Sequence, residues 1–426
     1  MAAAEDWSSY GGQIFRSRKP PLLGSVVVDD LEALMKEKFK DNPGPYNFVA
    51  GGASTGVTQV TNRKAFNRWK IVPRMLRDVT KRDISVTLFD RKLPAPVAFS
   101  PVGAQGIFHE DGDLASARAA GKLGIPFSMS TVASRSIGQV AEACGTGPRW
   151  FQLYWPESDE LTASILSRAE AAGFDVLLLT LDTMRVGWRP RDLNSAYVPM
   201  AHGYSAQVFT ADPVFMAKNN LPPTEEHAPF PYNPHEVDAA YLSGDPAIKQ
   251  RVDLSLHVIS QMTNGVFRSW EDMAFVRKTW KGPLLLKGIQ CVEDAILAME
   301  HGANGIVVSN HGGRQLDGAI GSLTALARIC ADPRVRKAQQ LGTFTVLFDS
   351  GVRSGSDIIK AIALGAQTVL VGRPYVYGLA LGGEAGVDAV MRSILADLDI
   401  SLALSGYKSI SEIWHKRDEV LVEDDT

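Results

Sequence analysis

One phrase recurs along the chain from residue 112 onward and narrows what it can fold into. It consists of an amphipathic helix rich in Ala and acids, a Gly near its end, and then a short apolar run. Ala119-Ala120-Gly121-Lys122-Leu123-Gly124-Ile125, Ala171-Ala172-Gly173-Phe174-Asp175-Val176, Glu300-His301-Gly302-Ala303-Asn304-Gly305-Ile306 and Ala363-Leu364-Gly365-Ala366-Gln367-Thr368-Val369 are four instances. Gly closes a helix in the left-handed conformation, and an apolar run without polar alternation reads as a strand buried on both faces. Candidate strands are Val97 to Ser100, Phe127 to Ser130, Trp150 to Leu153, Val176 to Leu181, Leu284 to Lys287, Gly305 to Ser309, Thr345 to Phe348 and Thr368 to Val371, eight in all. Most precede a helical pattern. An α/β fold closed as a (β/α)8 TIM barrel is therefore favoured over an open doubly wound sheet. The chain also has no Gly-x-Gly-x-x-Gly fingerprint for a dinucleotide.

Two regions exceed a minimal barrel. Residues 1–90 precede the first strand and read as an N-terminal helical extension with a short hairpin, packed over the barrel's bottom; residues 91–426 form the barrel. Within the latter, 193–269 is too long for one connection after strand 4, and it carries Leu221-Pro222-Pro223 and Pro229-Phe230-Pro231-Tyr232-Asn233-Pro234. Such an insertion leaves the C-terminal end of a strand, where barrels place their active sites, so it reads as a lid or an interface segment.

Charge and composition exclude several function classes. A net charge of -3 over 426 residues gives no electrostatic footprint for nucleic acid or an anionic membrane. Cys144, Cys291 and Cys330 lie far apart without metal-ligand spacing, as expected of packed thiols in a reducing compartment. The Met-Ala-Ala-Ala-Glu-Asp start lacks the pattern of a secretory signal, and no apolar run approaches spanning length. The expectation is a cytoplasmic protein.

The predicted strand ends converge on chemistry. The first ends in Ser100-Pro101-Val102-Gly103, the second in Ser130, the third in Gln152-Leu153-Tyr154, and the fourth in Thr180-Leu181-Asp182 with Arg189 beyond. Lys287 ends the fifth, and Ser309 ends the sixth, followed by His311 and Arg314. A His can take a proton near neutral pH, and an Arg offers a planar fork to a carboxylate. Lys287 at a buried strand end needs an anion to keep its charge. Asp349-Ser350-Gly351-Val352-Arg353 opens a helix, and Gly372-Arg373 follows the last strand; barrels commonly hold a phosphate between these two loops. Thr180 and Ser130 could equally satisfy strand-end backbone, and His109 and His415 read as surface or packing residues.

On these motifs, Ser309-Asn310-His311-Gly312-Gly313-Arg314-Gln315 above all, the chain from about Tyr46 to Ile410 resembles the FMN-dependent L-2-hydroxy acid oxidase and dehydrogenase family. Gly187-Trp188-Arg189-Pro190-Arg191-Asp192-Leu193, Ala50-Gly51-Gly52 and the long insertion look closest to its lactate 2-monooxygenase branch. The resemblance implies FMN as cofactor, a small 2-hydroxy acid and oxygen as reactants, and a homotetramer. It implies that His311 is the base, that Asp182 holds its imidazole, and that Arg189, Arg314 and Tyr154 bind the substrate. Lys287 would lie beside the flavin N1 and C2 carbonyl. Ser130, Gln152 and Thr180 would bind the ring edge, with Pro101, Val102 and Gly103 beneath it. Ser309, Asp349, Gly351, Arg353, Gly372 and Arg373 would complete the cofactor site. Two positions depart from the family. Phe48 stands where relatives carry a tyrosine toward the substrate carboxylate, and Val132 where many carry a bulky aromatic. Both make the pocket more apolar, and a larger substrate side chain follows as an expectation. The alternatives left open are an oxidase or dehydrogenase of a larger hydroxy acid, a phosphate-binding barrel acting on sugar phosphates or nucleotides, and a non-catalytic flavin-binding barrel.

Overall fold

The eight apolar runs become eight parallel strands, each hydrogen-bonded to the next and the last to the first. In the computed structural model, which describes residues 6–263 and 265–424, they are β1 (Val97–Phe99), β2 (Phe127–Met129), β3 (Arg149–Tyr154), β4 (Val176–Thr180), β5 (Leu284–Ile289), β6 (Gly305–Val308), β7 (Thr345–Phe348) and β8 (Thr368–Val371). Closure comes from β8 pairing with β1 through Val369–Val97 and Val371–Phe99. The N-terminal residues Met1 to Glu5, on which the leader expectation rests, and the C-terminal Asp425 and Thr426 lie outside the described residues.

The strands are buried on both faces because each separates two apolar layers. Ala98, Trp150, Leu178, Leu285, Val307, Leu347 and Leu370 point into the barrel and form a cluster with Leu88 and Leu93. Those two leucines belong to an antiparallel hairpin, Val86–Leu88 with Arg91–Leu93, which plugs the barrel; Phe89 in its turn meets Trp150 edge-on at 6.3 Å. The opposite strand faces pack against the surrounding helices in one larger core. The recurrent Gly ends helices as the pattern predicts: Gly302 follows Val292–Glu300 at φ 77°, a conformation that costs Gly little.

The hairpin part of the N-terminal region lies at the barrel's bottom. The helices Gly44–Ala50 and Val57–Asn67 instead reach the C-terminal ends of the strands, where Ala53 N donates to Gly313 O (2.9 Å) and Asn62 and Asn310 exchange side-chain hydrogen bonds (2.9 and 2.6 Å). The sequence expectation that this whole region covers the bottom is corrected here. Its reason is polar: two buried amides satisfy each other only if the Val57–Asn67 helix sits beside the loop after β6.

The long connection between β4 and β5 is folded. It contains the helices Gln207–Thr210, Pro213–Lys218, Pro234–Ser243 and Pro246–Thr263, and it buries Val208, Phe209, Phe215, Met216 and Tyr232. Asp212 accepts from Val214 N and Phe215 N at 2.9 and 3.1 Å, capping the second of these helices, and Asn233 caps the third in the same way. Among the described residues no helix is long and apolar enough to cross a membrane.

Candidate active site

The loop after β6 sets the geometry. His311 is left-handed at φ 58°, a conformation that costs a non-Gly residue on the order of 1–3 kcal/mol and persists where surrounding contacts impose it. Ser309 Oγ accepts from His311 N at 3.0 Å, and Asn310 Oδ1 accepts from Gly313 N at 3.1 Å. A side chain at Gly313 (φ 75°) would meet the Gln59 backbone N at 2.8 Å, so this loop can lie against the Val57–Asn67 helix only with Gly there. The strained loop aims the imidazole across the strand ends.

His311 Nδ1 lies 2.9 Å from Asp182 Oδ1, on the loop after β4. Thr183 Oγ1 donates to the same oxygen (2.9 Å) and lies 3.3 Å from the ring nitrogen. Asp182 Oδ2 is buried and has no protein partner. Burial alone would raise the Asp182 carboxyl, but His311 and Lys287 outweigh it and pull it down to about 2. Burial pushes the His311 imidazole below its usual value, and Asp182 only partly restores it. Asp182 is therefore a carboxylate held against an imidazole whose charged form burial disfavours. On the ring's other side, Tyr154 Oη is 3.5 Å from Nε2; burial raises that phenol, which stays protonated.

Two guanidinium groups face this pair without an acid bonded to either. Arg189 Nε donates to Arg314 O (3.0 Å) and its Nη2 to Gln315 Oε1 (2.7 Å), while Arg314 Nη1 donates to Gly51 O (2.9 Å). Arg314 lies over the Phe48 ring, 5.2 Å from its centroid, so Phe48 offers its π face to the cation in place of a hydroxyl. Burial and the neighbouring Arg189 and Arg373 push the Arg314 guanidinium well below its ordinary range. Asp192 offsets part of their charge without a hydrogen bond to either, and the two convergent cations remain arranged for an anion.

Phe48, Tyr154, Thr183, Arg189, His311 and Arg314 line one end of a cavity of about 1150 Å³ including its mouth. Its other end is lined by Ser100, Pro101, Val102, Gly103, Lys287, Asp349, Gly351, Arg353, Gly372 and Arg373. Lys287 Nζ donates to Ser309 Oγ (3.1 Å) and lies 3.4 Å from Asp349 Oδ2. Burial would lower this ammonium, but Asp349 and Asp182 hold it above its usual value. Arg373 donates to the carbonyls of Val49, Gly312 and Gly51 at 2.8, 3.0 and 3.2 Å. Arg353 donates to Val352 O at 3.0 Å, with Asp29 4.0 Å away. The donor set fits FMN: Pro101 to Gly103 in the lining, the buried Lys287 cation, and the guanidinium groups of Arg353 and Arg373 with Gly351 and Gly372.

Of the residues singled out for the site, all line the cavity except five: Asp182, which bonds to the lining residue His311, Ser309, which accepts from Lys287, and Ser130, Gln152 and Thr180. Ser130, Gln152 and Thr180 are buried beneath the cavity wall and bond to each other: Gln152 Nε2 donates to Thr180 Oγ1 (2.9 Å) and Gln152 Oε1 accepts from Ser130 Oγ (3.3 Å). His415, outside the site, contacts Gln339 Oε1 at 2.9 Å, and burial lowers its imidazole to about 4. Sequence reasoning missed Thr183, Val186, Met200 and Met262, which line the cavity, and Gln315, which ties Arg189 to the Asp182 and Arg185 carbonyls. Only Gln315 carried a local signal, its place in the His-Gly-Gly-Arg-Gln run.

A barrel in which a cofactor slot and an anion-binding, base-bearing pocket open into each other is the architecture of flavoprotein oxidoreductases. The family model described as FMN-dependent dehydrogenase matches residues 40–420, and the chain belongs to that family. Its cofactor is FMN. It is 42% identical to an FMN-dependent alpha-hydroxy acid dehydrogenase of Penicillium citrinum over 86% of this chain and 84% of that one. An L-lactate oxidase of Lysinibacillus sphaericus is 40% identical, with 90% of each chain covered. The crystal structure of a mandelate oxidase superposes with a TM-score of 0.74 at 32% identity, covering 94% of this chain and 100% of that one.

Proposed function

We propose that this protein oxidises the α-carbon of an L-2-hydroxy acid to the 2-keto acid and passes the electrons to oxygen. The supporting observation is that Arg189 and Arg314, whose guanidinium groups hydrogen-bond no acid, line the same cavity as His311, which Asp182 holds. In this reading the arginines bind the substrate carboxylate, and Tyr154 donates to it or to the hydroxyl. His311 takes the substrate proton, and Asp182 stabilises the imidazolium that results. Bound FMN supplies the acceptor for the electron pair. Lys287, Asp349, Gly351, Arg353, Gly372 and Arg373 hold the cofactor, with Pro101, Val102, Gly103 and Ser309 around it. Ser130, Gln152 and Thr180 support its edge from behind the wall.

The finer outcome depends on how long the product stays. Met200 and Met262, both from the inserted segment, cover the substrate end, and a covered site retains the keto acid long enough for peroxide to decarboxylate it. Phe48 acts against retention by withholding one hydrogen bond. Small acids are assigned the monooxygenase outcome: decarboxylated acid, carbon dioxide and water. Mixing the holoprotein anaerobically with 2-hydroxy acids tests the reaction through bleaching of the flavin. Peroxide and keto acid released in equal amounts per oxygen consumed would make it a simple oxidase, and no bleaching by any 2-hydroxy acid would refute the reading.

A further inference from the structure

The lining of the cavity has a charged part and an apolar part. Arg189, Arg314 and His311 supply the first, with Phe48 beneath Arg314, while Met200 and Met262 add apolar lining to the same cavity. The two methionines come from different helices of the inserted segment, Pro199–His202 and Pro246–Thr263.

Their backbones are fixed by neighbours. Pro199 O and Met200 O accept from Tyr204 N and Gly203 N at 3.1 and 3.0 Å. On either side of Met262, Gln261 O accepts from Glu157 N (3.0 Å), on the loop after β3, and Gly265 N donates to Met184 O (3.1 Å), on the loop after β4. Met262 is thus pinned to two barrel loops and is 4% exposed. An unbranched thioether on a fixed backbone adapts to apolar groups of different shape without moving the chain. A methyl substituent, as in lactate, offers a single carbon to the two methionines. A longer apolar chain gains their contact while its carboxylate keeps the arginines.

We infer that Met200 and Met262 determine specificity and select 2-hydroxy acids whose side chain is apolar and longer than methyl. The inference deepens the proposed function and rests on it. Two measurements on the holoprotein test it. Calorimetry with unreactive n-alkanoates from propanoate to octanoate reads binding alone, and anaerobic flavin bleaching by the matching 2-hydroxy acids reads turnover. Each added methylene should tighten alkanoate binding about fourfold and raise kcat/KM in step, until the chain outgrows the cavity. In M200Q/M262Q, which keeps side-chain length but adds an amide, the gain should fall below about twofold per methylene, whereas M200L/M262L should keep it. Flavin absorbance reports whether each variant is folded, and M200Q and M262Q singly carry the test if the double variant loses flavin. A wild-type series flat in chain length, or a glutamine variant with the wild-type slope, would overturn the inference. If alkanoates bind with the expected slope but no hydroxy acid bleaches the flavin, the reaction fails and the apolar selectivity stands. If lactate bleaches as fast as longer acids and the binding series is flat, the reaction stands and the selectivity fails.

Discussion

Replacing Asp182 with asparagine tests the central pair most sharply. Asn can still accept from His311 Nδ1 at the observed 2.9 Å, so the ring keeps its orientation while the charge that stabilises the imidazolium is lost. A hydrogen bond to a charged group contributes about 1.5–3 kcal/mol, which corresponds to roughly a 10- to 150-fold slower reduction of the flavin. A second effect has a definite sign. Asp182 raises the His311 imidazole and burial lowers it, so removing the carboxylate moves the acid limb of the rate to lower pH. Stopped-flow bleaching under anaerobic conditions, followed across pH with FMN content as the control, reads both effects. A rate within about threefold of wild type and an unmoved acid limb would refute the assignment of Asp182 as the carboxylate that stabilises the base. A role confined to folding would lower flavin content without moving the limb.

Other expectations follow from the same geometry. Because burial holds the His311 imidazole below its ordinary value, the acid limb of kcat/KM should lie below the pH at which a free imidazole titrates; an acid limb above 7 would contradict this. His311→Ala should leave FMN bound, since the phosphate-end residues are untouched, and abolish bleaching; wild-type bleaching would remove His311 from the mechanism. Phe48→Tyr should restore a donor toward the carboxylate and lower KM for lactate roughly tenfold, with a smaller effect for a long apolar acid; equal changes for both would place the ring away from the carboxylate. Arg373→Ala should weaken FMN binding, measured by flavin fluorescence titration, while unaltered affinity would move the phosphate elsewhere.

The barrel was legible because its signals are local. A left-handed Gly after a helix and an apolar run buried on both faces are consequences of sterics and burial within about ten residues, and Gly302 with β6 repeats the same solution as Gly365 with β8. The strand ends were equally readable: once the strands are placed, Lys287, His311 and Asp182 must lie on one ring. What lies outside that ring was decided by tertiary packing. Asn62 and Asn310 pair across the chain, which carries the Val57–Asn67 helix to the catalytic end and Phe48 onto Arg314. Met200, Met262 and Thr183 reach the cavity through hydrogen bonds between distant backbone segments and through the aim of a strained loop. Such contacts leave no periodicity in the chain, because they depend on which surfaces meet after the barrel has closed. The sequence by itself therefore determined the scaffold and which candidate groups gather at the strand ends, and the folded structure decided what else lines the cavity around them.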